Sequence, residues 1–314
     1  MARPFRIGVQ LPEIERRVGW SELSVMARTA EAVGFDSLWV GDHLLYDLPD
    51  GSVRGPWEVW TSLAALAALT QRVAIGPLVA SVGFSEPAVL AKKAATIDAI
   101  SGGRLIVGLG AGWNEREYRA FGLPFDHRVA RFEEAFGIIR RLLMGETVDH
   151  SGRFYALERC VIDPPPSRAG GPPLMVGSIG PRMLDITLPH VKAWNVWFSQ
   201  YGNTAAGLAE VAAEVERRAV ACGRERGEVI CTAAVLVQAP GGTGRMMGDP
   251  NDAVAPITGS VQDVARQLAE FAEVGAQHLQ VVVDPITVES IEWLGEVLAA
   301  LHRTGGRTDH HPEG

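Results

Sequence analysis

Pro87-Ala88-Val89-Leu90-Ala91-Lys92-Lys93-Ala94-Ala95-Thr96-Ile97-Asp98-Ala99-Ile100 runs into Ser101-Gly102-Gly103, and then into Arg104-Leu105-Ile106-Val107-Gly108-Leu109-Gly110-Ala111-Gly112. The first segment reads as a helix with proline at its start and glycine just past its end, the usual asymmetry of helix termini. The second is a short apolar run of strand length that stops at closely spaced glycines. Helix followed by strand is half of a repeating unit, and the same unit recurs on both sides.

Upstream, Phe5–Val9, Ser37–Val40 and Val73–Val79 read as strands, and Trp20–Val33 and Pro56–Leu69 as the helices between them. Downstream, Val129–Leu143 is an amphipathic helix. The short β-like runs of Thr147–Ile162 read as a hairpin insertion, closed by Asp163-Pro164-Pro165-Pro166. The alternation then resumes. The strands are Pro173–Val176, Ala193–Phe198, Val229–Val237 and Gln277–Val283, and the helices Arg182–Pro189, Ala205–Cys222, Val261–Val274 and Val288–His302. Strand–helix alternation requires a parallel sheet, and eight such pairs in this length favour a closed barrel over an open one. The expected fold is α/β, a single (β/α)8 TIM barrel with insertions after strands 4 and 7. The second insertion is the Gly/Pro-rich loop Ala239–Ile257. One domain covers residues 1–304, and residues 305–314 read as a disordered tail.

The chain has 314 residues, 47% of them hydrophobic and 21% charged, and a net charge of −8. The negative charge speaks against nucleic acid or an anionic membrane as the main partner. No apolar run approaches a membrane span, and the N-terminus lacks the long apolar segment of a signal peptide. Cys160, Cys222 and Cys231 are far apart and odd in number, which reads as reduced thiols in a cytoplasmic protein.

In such a barrel the residues just after each strand line the mouth. Four strand ends stand out. Gly41-Asp42-His43 places a carboxylate beside an imidazole, a pair suited to proton transfer near neutral pH. Gly76-Pro77-Leu78-Val79-Ala80-Ser81 puts glycine and proline into a strand, the mark of a bulge. Gly108-Leu109-Gly110-Ala111-Gly112 lacks the spacing of the dinucleotide fingerprint; its alternate glycines serve either close approach of a flat ligand or tight barrel packing. Gly177-Ser178-Ile179-Gly180-Pro181-Arg182 combines glycines, a hydroxyl and a helix start, a composition suited to phosphate, to which Arg182 adds charge. No metal site is expected: there is no His-x-His after the first strand. A Gly-x-Ser-x-Gly elbow is also absent from the sequence.

Taken together, these segments resemble the luciferase-like monooxygenase superfamily, most closely its branch of oxidoreductases that use the deazaflavin coenzyme F420. The stretch from Glu86-Pro87 to Phe121-Gly122, with Ser101-Gly102-Gly103-Arg104, Gly108–Trp113 and Glu115 to Glu117, carries most of the likeness. The resemblance implies a non-prolyl cis peptide near Leu78-Val79, with Leu78, Val79 and Ala80 behind the central ring of the cofactor. It gives Asp42 a bond to the ring system and makes His43 the residue that polarises substrate or moves a proton. Gly110, Ala111 and Gly112 would line the cofactor channel, and Gly177, Ser178, Ile179, Gly180 and Pro181 would hold its phosphate. Trp113 and Trp194 are the expected substrate contacts, and Ala239–Ile257 a lid. The implied activity is hydride transfer between F420 and a small organic substrate, by a homodimer. An FMN-dependent monooxygenase of the same fold is the alternative, and a non-catalytic flavin-binding protein a third reading.

Overall fold

The computed structural model describes residues 5–244 and 254–304. In chain order the elements are β1 (Arg6–Gln10), α1 (Trp20–Val33), β2 (Ser37–Val40), β3 (Tyr46–Asp47), β4 (Val53–Arg54), α2 (Val59–Leu69), β5 (Ala74–Pro77), β6 (Ala80–Ser81), α3 (Pro87–Ser101), β7 (Val107–Gly110), α4 (Glu115–Ala120) and α5 (Arg128–Leu143). There follow β8 (Val148–Ser151), β9 (Ala156–Cys160), β10 (Leu174–Gly177), α6 (Pro181–Thr187), β11 (Ala193–Val196), α7 (Ala205–Ala221), β12 (Ile230–Gln238), α8 (Val261–Glu273), β13 (His278–Asp284) and α9 (Val288–Thr304).

Local chemistry accounts for many of the boundaries. In α1 the buried residues Leu23, Met26, Ala27 and Ala30 form one stripe, and Gly34 ends the helix in the left-handed region at φ 100°. Helix α2 starts at Val59 and not at Pro56, because the Glu58 carboxylate accepts from Trp60 N and Thr61 N and so caps the first turn. The glycine pair after α3 hands the chain to Arg104. That guanidinium donates to the carbonyls of Ala67, Thr70, Val73 and Ser101, gathering the ends of α2 and α3 at the base of β7.

Nine parallel strands form one sheet in the order β5-β2-β1-β13-β12-β11-β10-β7-β6. Its two end strands, β5 and β6, are consecutive in the chain and separated only by Leu78 and Val79, whose peptide is cis. Ile75 N donates to Arg104 O at 3.0 Å and Ile106 N to Ile75 O at 2.9 Å, so β5 also touches the segment leading into β7. The result is a nearly closed barrel of parallel strands. The strands β2 and β11 are buried along their whole length, as parallel strands covered by helices must be.

Three features differ from the sequence expectation. The third strand does not run unbroken from Val73 to Val79; it stops at Pro77 and resumes at Ala80. The antiparallel pair β3–β4 and the short helix α4 were not anticipated. The hairpin β8–β9 is present, tied to α5 through Glu134, which accepts from Phe154 N, Tyr155 N and His150. Of the segment Ala239–Ile257 expected to form a lid, residues 245–253 lie outside the described residues, as does the expected tail at 305–314. No helix among the described residues is long and apolar enough to cross a membrane.

Candidate active site

The C-terminal ends of the strands share one rim, and β1, β2, β6 and β7 bring their ionisable and hydroxyl groups together there. At the end of β2, Asp42 is buried and its Oδ2 accepts from Ser81 N at 2.8 Å, which ties the loop after β2 to β6. Burial pushes the Asp42 carboxyl up to about 7, against the pull of the Ser81 N–H and of His43; Glu58 and Glu117 add to the rise.

His43 sits between two buried carboxylates. Its Nδ1 lies 3.0 Å from Glu117 Oε1, and its Nε2 lies 3.6 Å from Glu13 Oε1. Burial disfavours the charged ring, but the Glu117 hydrogen bond and the charges of Glu13, Glu117 and Asp42 outweigh it and raise the pKa. Glu13, in the loop after β1, accepts from Gln10 Nε2 at 2.9 Å and from Tyr46 OH at 3.2 Å. A β-carbon at Gly41 would lie 2.6 Å from the Glu13 carboxyl carbon, so the glycine before Asp42 makes room for that acid. Glu117, on α4, also accepts from Leu44 N at 2.8 Å. Its neighbour Tyr118 shares a 2.5 Å hydrogen bond with Ser81 Oγ.

The aromatic rings of Tyr46 and Trp113 lie 4.6 and 5.6 Å from the His43 ring. Trp113 is 59% exposed, so it stands at the open edge of this cluster. Trp194 is instead fully buried, and its indole N–H donates to Ser178 O at 2.6 Å. It braces the loop after β10 from beneath.

In that loop Gly180 N donates to Ser178 Oγ at 3.1 Å, Ile179 and Pro181 are exposed, and α6 begins at Pro181. The charge of Arg182 is turned away to Glu133 at 2.8 Å. Val79 projects between glycines: a β-carbon on Gly110 would lie 2.9 Å from its Cγ2, and one on Gly108 3.0 Å from its Cγ1. Gly112, at φ 75°, faces Tyr118 and Ser81 in the same way. Of the two readings of the alternate glycines, packing against the protein's own side chains accounts for these.

The structure places Asp42 and His43, expected from the sequence at this rim, beside two acids that were not expected there, Glu13 and Glu117. Glu13 follows the first strand, so the strand-end rule applied there would have found it. Glu117 lies within a helix, where only the family-like run Glu115 to Glu117 marked it.

The sequence pattern of the luciferase-like monooxygenase family matches residues 3–240. A phthiodiolone/phenolphthiodiolone dimycocerosates ketoreductase from Mycobacterium kansasii is 35% identical over an alignment of 196 residues that covers 57% of this chain and 53% of that protein. The chain therefore matches about half the length of that curated relative. Among solved structures, an F420-dependent secondary alcohol dehydrogenase in complex with an F420–acetone adduct superposes with TM-score 0.79 at 20% identity, covering 95% of this chain and 99% of that one. A riboflavin lyase with modified FMN and riboflavin superposes with TM-score 0.81 at 16% identity, covering 98% and 94%.

Proposed function

The chain belongs to the luciferase-like monooxygenase family, and on that premise we propose that it is an F420-dependent oxidoreductase that transfers a hydride between the deazaflavin and a small organic substrate bearing a carbonyl or secondary hydroxyl group. The observation that carries this reading is His43, held between Glu13 and Glu117 beside Asp42 at the strand ends. Interconverting a carbonyl and a hydroxyl needs one proton moved at oxygen, and a buried imidazole among carboxylates is equipped for that. The likeness to a ketoreductase and to a secondary alcohol dehydrogenase supports the same chemistry.

The mouth fits a flat ring system. Val79, flanked by Leu78 and Ala80, offers an apolar platform, and Gly110, Ala111 and Gly112 flank it. Gln10 Oε1, at the end of β1, is buried with no protein partner, an acceptor suited to a ring N–H. Gly177, Ser178, Ile179, Gly180 and Pro181 would take the phosphate, with Trp194 holding the Ser178 backbone in place. When bound, the cofactor supplies the hydride carrier. Asp42 orients the ring edge, His43 moves the proton at the substrate oxygen, and Trp113 covers the apolar part of the substrate.

An FMN-dependent enzyme is the second reading, favoured by the fold likeness to the riboflavin lyase. Titration of the purified protein with F420 and with FMN, followed by fluorescence, separates the two. Saturable F420 binding supports the first, and FMN binding without F420 binding overturns it.

The same reading includes three coarser elements. Taking β5 and β6 as halves of one interrupted strand gives an eight-stranded barrel, with insertions at β8–β9 and after β12. A homodimer is supported by α2, whose 11 residues carry no charge. Light scattering tests it. A cytoplasmic location agrees with the three unpaired thiols.

A further inference from the structure

We infer that Glu117 is a positioning residue that keeps a proton on Nδ1 of His43, with Nδ1–H directed at Glu117 and Nε2 left to meet a ligand. The inference rests on the proposed function only for what the ligand is; the protonation state follows from the protein's own groups.

Glu117 is 1% exposed, and both its oxygens are within hydrogen-bond distance of the loop after β2. One of them accepts from Leu44 N at 2.8 Å, and a backbone amide can only donate. The other faces Nδ1 of His43 at 3.0 Å, and a carboxylate oxygen pairs with a ring nitrogen by accepting, which places the ring proton on Nδ1.

The second ring nitrogen has a different surrounding. Nε2 lies 3.6 Å from Glu13 Oε1, beyond hydrogen-bond reach, and both Glu13 oxygens already accept from Gln10 and Tyr46. The charged and titratable groups that face the ring are Glu13 from the loop after β1, Asp42 from its own loop, Tyr46 from β3 and Glu117 from α4. All three acids, when ionised, favour the charged ring. Only Glu117 does so through a hydrogen bond within reach, so it fixes orientation as well as charge. Nδ1 is therefore spent on Glu117, and Nε2 is the ring nitrogen that meets a ligand.

The test needs neither substrate nor cofactor. The full chain is labelled with 15N-histidine, and long-range proton–nitrogen spectra are recorded across pH. The His43 signals are assigned by their loss in His43→Gln. In the wild type His43 is expected to keep Nδ1 protonated on both sides of its titration midpoint, showing the Nδ1–H tautomer once the ring is neutral. Glu117→Gln is expected to titrate at a lower midpoint and to lose the single-tautomer pattern. Glu13→Gln should shift the midpoint less. A His43 that titrates in folded Glu117→Gln as it does in the wild type overturns the inference. So does an Nε2–H tautomer in the wild type, an outcome that stands even where Glu117→Gln does not fold. Failure to bind F420 would count against the proposed function and leave this result untouched.

Discussion

Val79 occupies the space that a side chain at Gly177 would need: a β-carbon built there lies 2.8 Å from Val79 Cγ2 and 2.9 Å from Cγ1. Real β-carbons do not approach so closely, so one residue of the interrupted third strand dictates glycine on β10. The same side chain dictates it on β7 at Gly110. Gly110→Ala and Gly177→Ala are each expected to cost about 1–3 kcal/mol through overpacking. Adding Val79→Ala should recover most of that loss in either background. Gly108→Ala should resist such rescue, because its β-carbon would also lie 2.4 Å from the Pro77 carbonyl oxygen, which is backbone. Urea unfolding of the single and double variants reads this directly, and equal rescue at all three glycines would contradict it.

Asp42 links stability to pH. Burial raises its carboxyl to about 7 in the folded protein, above its value in the unfolded chain. Between about pH 4 and 7 the native state therefore keeps a proton that the unfolded chain has released. The stabilisation is complete below the unfolded value and is lost as pH rises through the folded one. His43, also raised, acts with the same sign but remains in both proteins compared. Asp42→Asn removes the carboxyl titration, so its stability relative to wild type should improve from about pH 5 to about pH 8. Parallel melting-temperature profiles for the two proteins would show that Asp42 is not perturbed.

The two tryptophans expected to touch substrate should behave differently. Trp113 is exposed at the rim, and Trp113→Ala should leave stability within about 0.5 kcal/mol of wild type while raising KM for the substrate. Trp194 is buried and holds Ser178 O, so Trp194→Phe should cost about 1 kcal/mol and weaken cofactor binding more than substrate binding. Calorimetric binding and unfolding curves separate the two. An unchanged KM in Trp113→Ala would remove it from the substrate site.

Arg104 is expected to matter for stability and not for turnover. Its guanidinium satisfies carbonyls at the ends of α2 and α3, far from the strand ends. Arg104→Met would leave those carbonyls short of donors, at about 1–3 kcal/mol. Thermal unfolding with activity measured below the transition checks both halves.

Much of the barrel could be read from the sequence, because its helices announce themselves at both ends. Pro87 starts α3 and Gly102 stops it, while Gly34 stops α1. The pair β3–β4 could not be read, since two residues per strand carry no periodicity. At the site, Asp42 and His43 were legible as neighbours directly after a strand. Their partners were not: Glu13 and Glu117 come from different loops, and only the folded chain shows that both face His43. The glycines were recognised as unusual, but whether they serve a ligand or Val79 is a question of distance, which sequence does not contain.

The six-residue helix α4 puts two adjacent side chains to different uses: Glu117 holds the loop after β2, and Tyr118 holds Ser81 at the end of β6. The rim loops are therefore not interchangeable parts. Transplanting the Gly41–Leu45 segment into a related barrel, or randomising it in a library, would bring along a histidine without its carboxylate unless residues 115–118 travelled with it. Redesign of this rim has a minimum unit, and that unit is three loops wide.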